Sequence, residues 1–501
     1  MRFTSRVRQY LAARFFSIRG QKGGSFPGRP GTGRCSEGAL QARSVLVLNV
    51  RRFLHEKTEE NGGLNVYDIL VLVIALVLFT VLAFLRAGAM PLATIVALIT
   101  CILAGLSILD TLLGPFMSSA AGYVQDYCFV FFLGAVFSAL YEGSNGAKSI
   151  ALFLSEVTGG KHVAVLIFIV TSILTYGGIR GFFFYFVMYP ICLQLFQKDD
   201  LSRILIPAAI TAGCWTVSMV APDSPSVQNV VVMNSLGTAS TAALIPGLLS
   251  VLTEFVLIVI WFEYRTWKLG KMGRHFEDAT LPPLPDSERN FSEDPEERRP
   301  NVVIAFIPIA VILVLFNGFQ LPAEAAVFFG ILTACVLFKP YLPSVRTYID
   351  LFNQGGTNAI NALLNTAIVV GFGGVAQETI GFQKIVNGVL SMDISPLVFV
   401  AIAVAVCAGM CGSASGGMGI AFNALKDTFI SLGLNLEYVH RIAVIAAGTL
   451  DTLPHQGGQI TIFAITHMNH KTAYWDICMT QLIIPLITVF AVTIPLCSLG
   501  L

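Results

Sequence analysis

An apolar segment near the carboxyl terminus, residues 441–470, is interrupted in a way that constrains the whole chain. Its ends are apolar, but Asp451, Pro454 and His455 and the paired glycines Gly457 and Gly458 lie in its middle. Proline removes a backbone donor and clashes with the preceding helical turn, and paired glycines loosen the backbone further. Backbone groups freed inside a membrane must be buried in protein or line a wet cavity. The segment therefore predicts a broken helix that holds a solute or an ion.

The rest of the chain has the composition of a membrane protein. Of its 501 residues, 55% are hydrophobic and only 12% are charged, and the mean hydropathy is +0.74. A soluble protein carries about twice that charged fraction. Apolar stretches close to the length of a bilayer crossing recur throughout, so we expect an all-α polytopic membrane protein. The stretches are 68–85, 90–109, 126–141, 163–196, 203–240 and 243–263, and then 302–318, 322–339, 359–377, 396–433, 441–470 and 475–497.

The order and lengths of these stretches indicate an internal duplication. Lys148 and Lys384 lie in similar glycine-containing stretches. The number of residues that separates these two lysines is nearly the same as the number that separates Pro222 from Pro454. We therefore predict a membrane repeat over 64–263, a charged linker over 264–300 and a second repeat over 301–501. Residues 1–63 are rich in Arg and Gly, and we expect a disordered extension there, with a transit peptide as the alternative.

The long stretches 163–196 and 396–433 exceed one crossing and have glycines midway, which predicts a re-entrant hairpin in each half. Each half then has five spanning helices, one of them broken, plus one hairpin. An odd number of crossings predicts two inverted-topology repeats. Basic residues flanking the membrane segments place the linker 264–300 in the cytoplasm. That topology leaves Lys384, Lys426 and Arg441 on the outer side.

Four elements should meet at the centre of such a protein. We name them the first tip (175–181), the second tip (411–417), the first break (223–229) and the second break (451–458). Interrupted helices present unpaired N–H groups and positive dipole ends, which bind carboxylates. Close helix packing and simple helix capping are the structural alternatives for the glycines and for the Ser and Asn groups. The candidate substrate-binding residues are Tyr176, Gly177, Gly178, Arg180, Ser224, Ser226, Gln228, Asn229, Ser413, Ser415, Gly416 and Gly417.

Charged and titratable residues at these elements have both functional and structural interpretations. Arg180 is a candidate partner for a substrate carboxylate, or else pairs with Asp223 or extends to the membrane interface. Asp223, Asp451 and His455 are candidates for binding and releasing a proton in each transport cycle. Helix capping, an ion pair or a hydrogen-bonded core position are the alternative roles for these three. His467 and His470 are expected at the interface.

The motifs of several enzyme classes are missing from the sequence. We find no GxSxG, HExxH or GxxxxGK[ST] motif, and the ten cysteines lack metal-binding spacing. We therefore predict a carrier rather than an enzyme or a nucleotide-driven pump, with no cofactor, no metal and no nucleic-acid partner.

The chain resembles the gluconate:proton symporter (GntP) family of the ion transporter superfamily. The resemblance rests on short stretches distributed over 64–500: TYGG at 175–178, GFQKIV at 381–386, PDSPSVQN at 222–229, GSASGGMGIA at 412–421, LDTLPHQG at 450–457 and TAYWDI at 472–477. It implies a proton-coupled carrier of small organic or sugar acids, such as gluconate or β-hydroxybutyrate, in a bacterial-type inner membrane. It also implies an elevator mechanism and a homodimer. Asp223, Ser224 and Arg180 depart from the gluconate-type pattern, so the acid itself is not indicated.

The sequence is compatible with three functions. The first is symport of a small carboxylate with a proton. The second is a sodium-coupled carboxylate or dicarboxylate carrier of the same architecture, because Ser, Asn and Asp oxygens near glycine-rich turns also suit sodium. The third is a membrane receptor, which would need a soluble module, and the linker 264–300 is short for one.

Overall fold

The computed structural model describes residues 66–500, except 177–180, 225, 286–297, 320, 343, 391–393 and 432. The predicted extension 1–63 lies outside the described residues. Over the described ranges the regular structure is entirely helical, which confirms the expected all-helical class. No strand occurs in that part of the chain.

The first half contains ten helices in the described residues. They are α1 (Val66–Phe84), α2 (Ala89–Ala104), α3 (Ile108–Gly143), α4 (Gly146–Thr158), α5 (Val163–Tyr176), α6 (Gly181–Lys198), α7 (Leu205–Trp215), α8 (Val217–Val220), α9 (Val227–Leu236) and α10 (Leu244–Lys271). A π-helical turn at Leu112–Phe116, which includes Pro115, lies within α3.

The second half has nearly the same order of helices. They are α11 (Val302–Leu313), α12 (Ala323–Leu337), α13 (Val345–Gln377), α14 (Ile380–Leu390), α15 (Pro396–Cys411), α16 (Ala414–Ser431), α17 (Leu436–Leu450), α18 (Gly457–Ile465) and α19 (His470–Ser498). Each half thus has a long third helix, two helices around a tip, a helix on each side of a break and a long last helix.

Two short helices, α4 and α14, were not among the predicted segments. Polar residues such as Lys148 and Lys384 interrupt their apolar residues, so neither stretch has the hydropathy of a bilayer crossing. Both helices follow the long third helix of their half, and α4 meets α5 at an angle of 116°. Their matching positions extend the correspondence between the halves beyond what hydropathy indicated.

Five helices of the described chain are long and apolar enough to cross a membrane. They are Tyr67–Phe84, Ile108–Gly143, Leu244–Lys271, Val345–Gln377 and His470–Ser498. Their number and composition confirm a polytopic membrane protein.

The stretch 396–433 is a helical hairpin. Helix α15 ends at Cys411, Gly412 adopts a left-handed φ of +59°, and α16 starts at Ala414. Gly417 lies so close to the backbone of Ala408 and Cys407 that a side chain would collide with it. A straight helix would separate residues 408 and 417 by about 13.5 Å, at 1.5 Å per residue. The chain therefore reverses at Gly412, as the glycines predicted.

Helices of one half pack against helices of the other, so the two halves do not form separate bundles. The long helices α3 and α13 pack along each other, α1 packs on α14, and α4 packs on α11. Asp68 on α1 and Lys384 on α14 form an ion pair across the halves, with an Oδ2–Nζ distance of 2.6 Å. The halves consequently bury part of their apolar surface only against each other.

Helix α10 continues beyond the predicted end of the first repeat, through Lys271. Its last turns carry aromatic and basic residues: Lys268 lies over the ring of Tyr264 and Lys271 over that of Trp267. Such residues are typical of a membrane–water interface, and the helix continues through them without a break. The polar composition of 264–271 indicated a linker because it does not distinguish a solvated helix from a loop.

Candidate functional site

The second break separates α17 from α18 and buries a carboxyl group. The backbone leaves helical geometry at Gly448 and returns to it at Gly457, with Pro454 between them. Asp451 is only 6% exposed. Its Oδ2 accepts a hydrogen bond of 2.9 Å from Gln456 Nε2, and its Oδ1 accepts one of 3.2 Å from Thr452 Oγ1. These short neutral side chains hold the carboxyl group in place without any described cationic partner.

The second tip lies directly against the second break. His455 Nε2 donates to the carbonyl of Gly409, on the first arm of the hairpin, at 2.8 Å. A Cβ atom on Gly412 would lie 2.7 Å from Cδ2 of the same imidazole. Glycine is therefore required at position 412 both for its positive φ and for this close approach.

The exposed side of the second tip carries hydroxyl groups. Ser413 Oγ accepts a hydrogen bond of 3.2 Å from the N–H of Gly416 and lies 3.4 Å from Ser415 Oγ. Ser413 and Ser415 are partly accessible and Gly416 is exposed, whereas Gly417 is buried between the two arms. The tip thus offers hydroxyl and backbone groups on one side, and Gly417 has a packing role on the other.

The first break is a second unwound segment, between α8 and α9. Ser226 caps α9 by accepting a hydrogen bond of 3.3 Å from the N–H of Asn229. Asn229 is fully buried, and its Nδ2 donates to the carbonyl of Met219 at 3.2 Å. Ser224 and Gln228 are also buried. Ser226 and Asn229 consequently stabilise the backbone around this break.

Asp223 lies at the outer edge of the first break. It has a positive φ of +63° and an exposed side chain, and its Oδ1 accepts a hydrogen bond of 2.6 Å from Ser240. Asp451 and His455, in contrast, are both buried at the second break. The three predicted proton-coupling residues therefore occupy two different environments.

The first tip adjoins the first break. Tyr176, the last residue of α5, donates from its hydroxyl to the carbonyl of Pro222 at 3.2 Å. Gly177, Gly178 and Arg180 lie outside the described residues. Their predicted roles at the tip stay predictions.

Helix α6 packs beside the second break. A Cβ atom on Gly458 would lie 3.5 Å from the hydroxyl of Tyr185, and that hydroxyl accepts a hydrogen bond from Trp215 Nε1. Helix α9 packs against α16 in turn. Elements from both halves therefore surround the unwound segments.

Arg441 supports the first break and was not predicted to do so. It is fully buried, and its Nη1 donates to the carbonyl of Val220, where α8 ends, at 2.7 Å. Other guanidinium hydrogens bond to the carbonyls of Ser240 and Ala242, at 3.3 and 2.9 Å. A cation at a helix carboxyl terminus is favoured by the helix dipole. The predicted topology placed Arg441 among the outer-side charges, because only the tertiary structure shows which carbonyls a break leaves free.

The adjacent His440 continues this support. Its Nε2 lies 3.0 Å from Asn229 Oδ1, and its Nδ1 lies 2.7 Å from the hydroxyl of Thr238. Because an amide oxygen only accepts, Nε2 carries a hydrogen, and Nδ1 of a neutral imidazole accepts from the threonine. Helix α17 thus holds the first break with its early residues and leads into the second break with its last ones.

His470 is also buried against a break. It was expected at the interface, but it is 6% exposed, and its Nε2 donates to the carbonyl of Pro454 at 2.8 Å. Proline leaves that carbonyl in an unwound segment, where it needs a donor. Its sequence position near Lys471 concealed this role.

Comparison with known proteins identifies the class of molecule. No family model matches the chain. It is 30% identical over 456 residues to the uncharacterized transporter YxjC of Bacillus subtilis (strain 168), an alignment that covers 83% of this chain and 96% of the relative. The chain belongs to the family of that transporter. A membrane transporter is thereby confirmed, while the narrower gluconate:proton symporter assignment stays a prediction.

One solved structure has a weak overall likeness to the protein. It is the crystal structure of the Alcanivorax borkumensis YdaH transporter, at a TM-score of 0.40 and 14% sequence identity, over 87% of this chain and 98% of the other. A likeness at that level carries no conclusion about fold or mechanism.

Proposed function

We propose that this transporter is a secondary carrier that takes up a small carboxylate together with a proton. The supporting observation is the position of Asp451, a buried carboxyl group in an unwound segment, beside a tip that presents Ser413 and Ser415. An anion bound between them would be held by hydroxyl groups and by the amino-terminal ends of α16 and α18. Among the described residues, no side chain caps the amino terminus of α18.

Charge repulsion gives a reason for the anion and the proton to bind together. An ionised Asp451 would repel a substrate carboxylate, and repulsion between two buried like charges favours protonation of one of them. A protonated Asp451 would instead offer a hydrogen-bond donor. His455, which belongs to the second break, is the second candidate for the proton, because its ring contacts the second tip. We keep gluconate or a hydroxybutyrate as the substrate class, on the family resemblance.

The membrane arrangement completes the proposal. We infer two inverted repeats, a cytoplasmic linker at 264–300 and an inner-membrane location, on the matching order of helices and the basic residues of α10. An elevator motion and a homodimer follow from the family resemblance. The direct partners are then the carboxylate, the coupling ion and the lipid bilayer.

Uptake into proteoliposomes tests the proposed function. Purified protein should accumulate labelled gluconate or β-hydroxybutyrate when the exterior is acidic, and replacing sodium with choline should have no effect. Uptake that needs sodium and ignores the proton gradient would favour the sodium-coupled alternative. Carboxylate binding without uptake or exchange would favour the receptor alternative.

The variant Asp451→Asn tests the coupling residue. In the wild type, apparent substrate affinity should be high at low pH, where Asp451 is protonated, and should fall as pH rises and the carboxyl group ionises. In Asp451→Asn the side chain is neutral at every pH, so the affinity should lose this dependence. Asp350→Asn is the matched control, because Asp350 is an exposed partner of Arg346 on α13. A wild-type pH profile in Asp451→Asn would contradict the role.

A further inference from the structure

A second carboxyl group is buried in the membrane part of the protein, away from the tips and breaks. Glu254 lies on α10 and is fully buried, and neither of its carboxylate oxygens has a hydrogen-bond partner among the described residues. An ionised carboxylate in such surroundings costs several kcal/mol, and ionisable residues inside membrane segments are often functional. Neither the sequence motifs nor the proposed substrate site accounts for this residue.

A second buried polar group without a described role lies on α19, the helix that packs against α10. Helix α10 packs against the 479–493 part of α19. Ser250 Oγ lies 2.7 Å from Thr493 Oγ1, and Arg265 pairs with Asp476 at 2.5 and 2.8 Å, so the two helices run antiparallel. Thr488 is fully buried, and its hydroxyl has no hydrogen-bond partner in the part of the chain that the structure describes.

The register of the two helices places Thr488 at the level of Glu254. Glu254 follows Ser250 by four residues, which is one turn on the same face of α10. Thr488 precedes Thr493 by one π-helical turn, and Thr493 Oγ1 donates to its carbonyl at 3.2 Å. Because the helices are antiparallel, one turn from the Ser250–Thr493 contact leads to Glu254 on one helix and to Thr488 on the other. Such π-helical turns are frequent at functional sites.

The surroundings of Glu254 contain no described ion pair for it. Within the described residues, the other charged or titratable groups on α10 are Glu263, Tyr264, Arg265, Lys268 and Lys271. The elements packed against α10 carry Tyr176 on α5, Cys214 on α7, and His470, Lys471, Tyr474, Asp476, Cys478 and Cys497 on α19. Arg441 of α17 approaches α10 at Gly247. Arg265 is engaged by Asp476, and Arg441 by backbone carbonyls. Gly247 lies about 10 Å along the helix from Glu254.

We propose that Glu254, with Thr488 opposite it, is a second proton-binding site of the transport cycle. Binding forms an O–H bond on one carboxylate oxygen, with a proton taken from water on the side of higher proton concentration and released on the other side. Helix α19 connects this site to the second break, because Thr452 Oγ1, which donates to Asp451, also lies 3.4 Å from the carbonyl oxygen of Gln481. Gln481 and Thr488 are about 10 Å apart along α19. The transport part of this inference rests on the proposed function.

Infrared spectroscopy tests the proton site without any substrate. Difference spectra between acidic and alkaline pH, in water and in heavy water, should show the C=O stretch of a buried protonated carboxyl group. In an Asp451→Asn background, which removes the band of the other buried carboxyl group, this band should vanish in Glu254→Gln and persist in Glu263→Gln. Glu263 is the matched control because it lies on the same helix, is 41% exposed and contacts His162. A band that survives unchanged in Glu254→Gln would overturn the assignment.

A second variant covers the case in which Glu254→Gln fails to fold. Thr488→Val leaves the carboxyl group in place but removes the hydroxyl, so the band should shift while its intensity is kept. An unshifted band would contradict the part assigned to Thr488. Thr253→Val is the control on the same helix pair, because the Thr253 hydroxyl bonds only to its own helix, at the carbonyl of Leu249.

Proton counting tests the role in transport. In proteoliposomes with an entrapped pH indicator, Glu254→Gln should bring in one proton fewer per carboxylate than the wild type, and Glu263→Gln should match the wild type. An unchanged ratio would remove Glu254 from the cycle. If the wild type neither accumulates nor exchanges any carboxylate, the proposed function fails, and the infrared result alone decides whether Glu254 binds a proton.

Discussion

Single buried polar residues hold the unwound segments of this transporter in place. A break in a helix frees carbonyl and N–H groups, and inside a membrane each of them needs a partner. Arg441 satisfies three carbonyls on the segments that flank the first break, and His455 and His470 each satisfy one near the second. Fixed donors of this kind allow irregular backbone to persist where lipid surrounds the protein.

Removing the Arg441 side chain should therefore destabilise the protein. Arg441→Gln leaves buried carbonyls unpaired, and we expect the free energy of unfolding to fall by about 3 kcal/mol. Thermal unfolding in detergent measures the change. Arg346→Gln is the control, since Arg346 forms an exposed pair with Asp350, its side chain is 79% exposed, and its loss should leave the unfolding temperature unchanged. Equal unfolding temperatures for both variants would show that the carbonyls find other partners.

At the scale of the element, the second hairpin depends on close approach between its arms. Gly417 of α16 lies against the backbone of α15, and Gly412 adopts the left-handed conformation that reverses the chain. The second tip can contact His455 only if the arms meet at this short distance. The hairpin geometry thus determines where Ser413 and Ser415 lie relative to the second break.

Gly417→Ala should disrupt the hairpin. The added methyl group collides with backbone atoms, which cannot rotate away, so we expect a loss of about 1–3 kcal/mol. Gly419→Ala is the matched control: it lies on the same helix, with nothing within 4 Å of the added carbon, and should gain about 0.5–1 kcal/mol from lower backbone entropy in the unfolded chain. Chemical denaturation in detergent compares the two. The same stability for both would contradict the packing that we describe.

At the scale of the whole molecule, the two halves are packed as one body. Helix α1 of the first half lies on α14 of the second, and α4 of the first lies on α11 of the second. Asp68 and Lys384 join α1 to α14 with side chains 23% and 26% exposed. Because helices of the two halves pack against each other, the matching order of helices does not produce two independent bundles.

A double-mutant cycle tests the contact between the halves. Asp68→Lys and Lys384→Asp should each lower stability, because each places two like charges together. The double variant should recover most of the loss, with a coupling energy of about 1 kcal/mol. Unfolding temperatures of the four proteins give the coupling directly. Additive losses would mean that the pair does not contribute to the association of α1 with α14.

The sequence by itself determined the class of this protein and the positions of its irregular segments. Apolar length and low charge require membrane helices, and proline with paired glycines requires a break, because these effects act within a few residues of the chain. The reversal at Gly412 was predictable for the same reason. The tertiary structure alone decided which groups complete the site. The residues that surround Arg441, His440 and Glu254 in the fold are distant from them in the sequence. The burial and the hydrogen-bond partners of these three side chains therefore depend on which helices the fold places side by side.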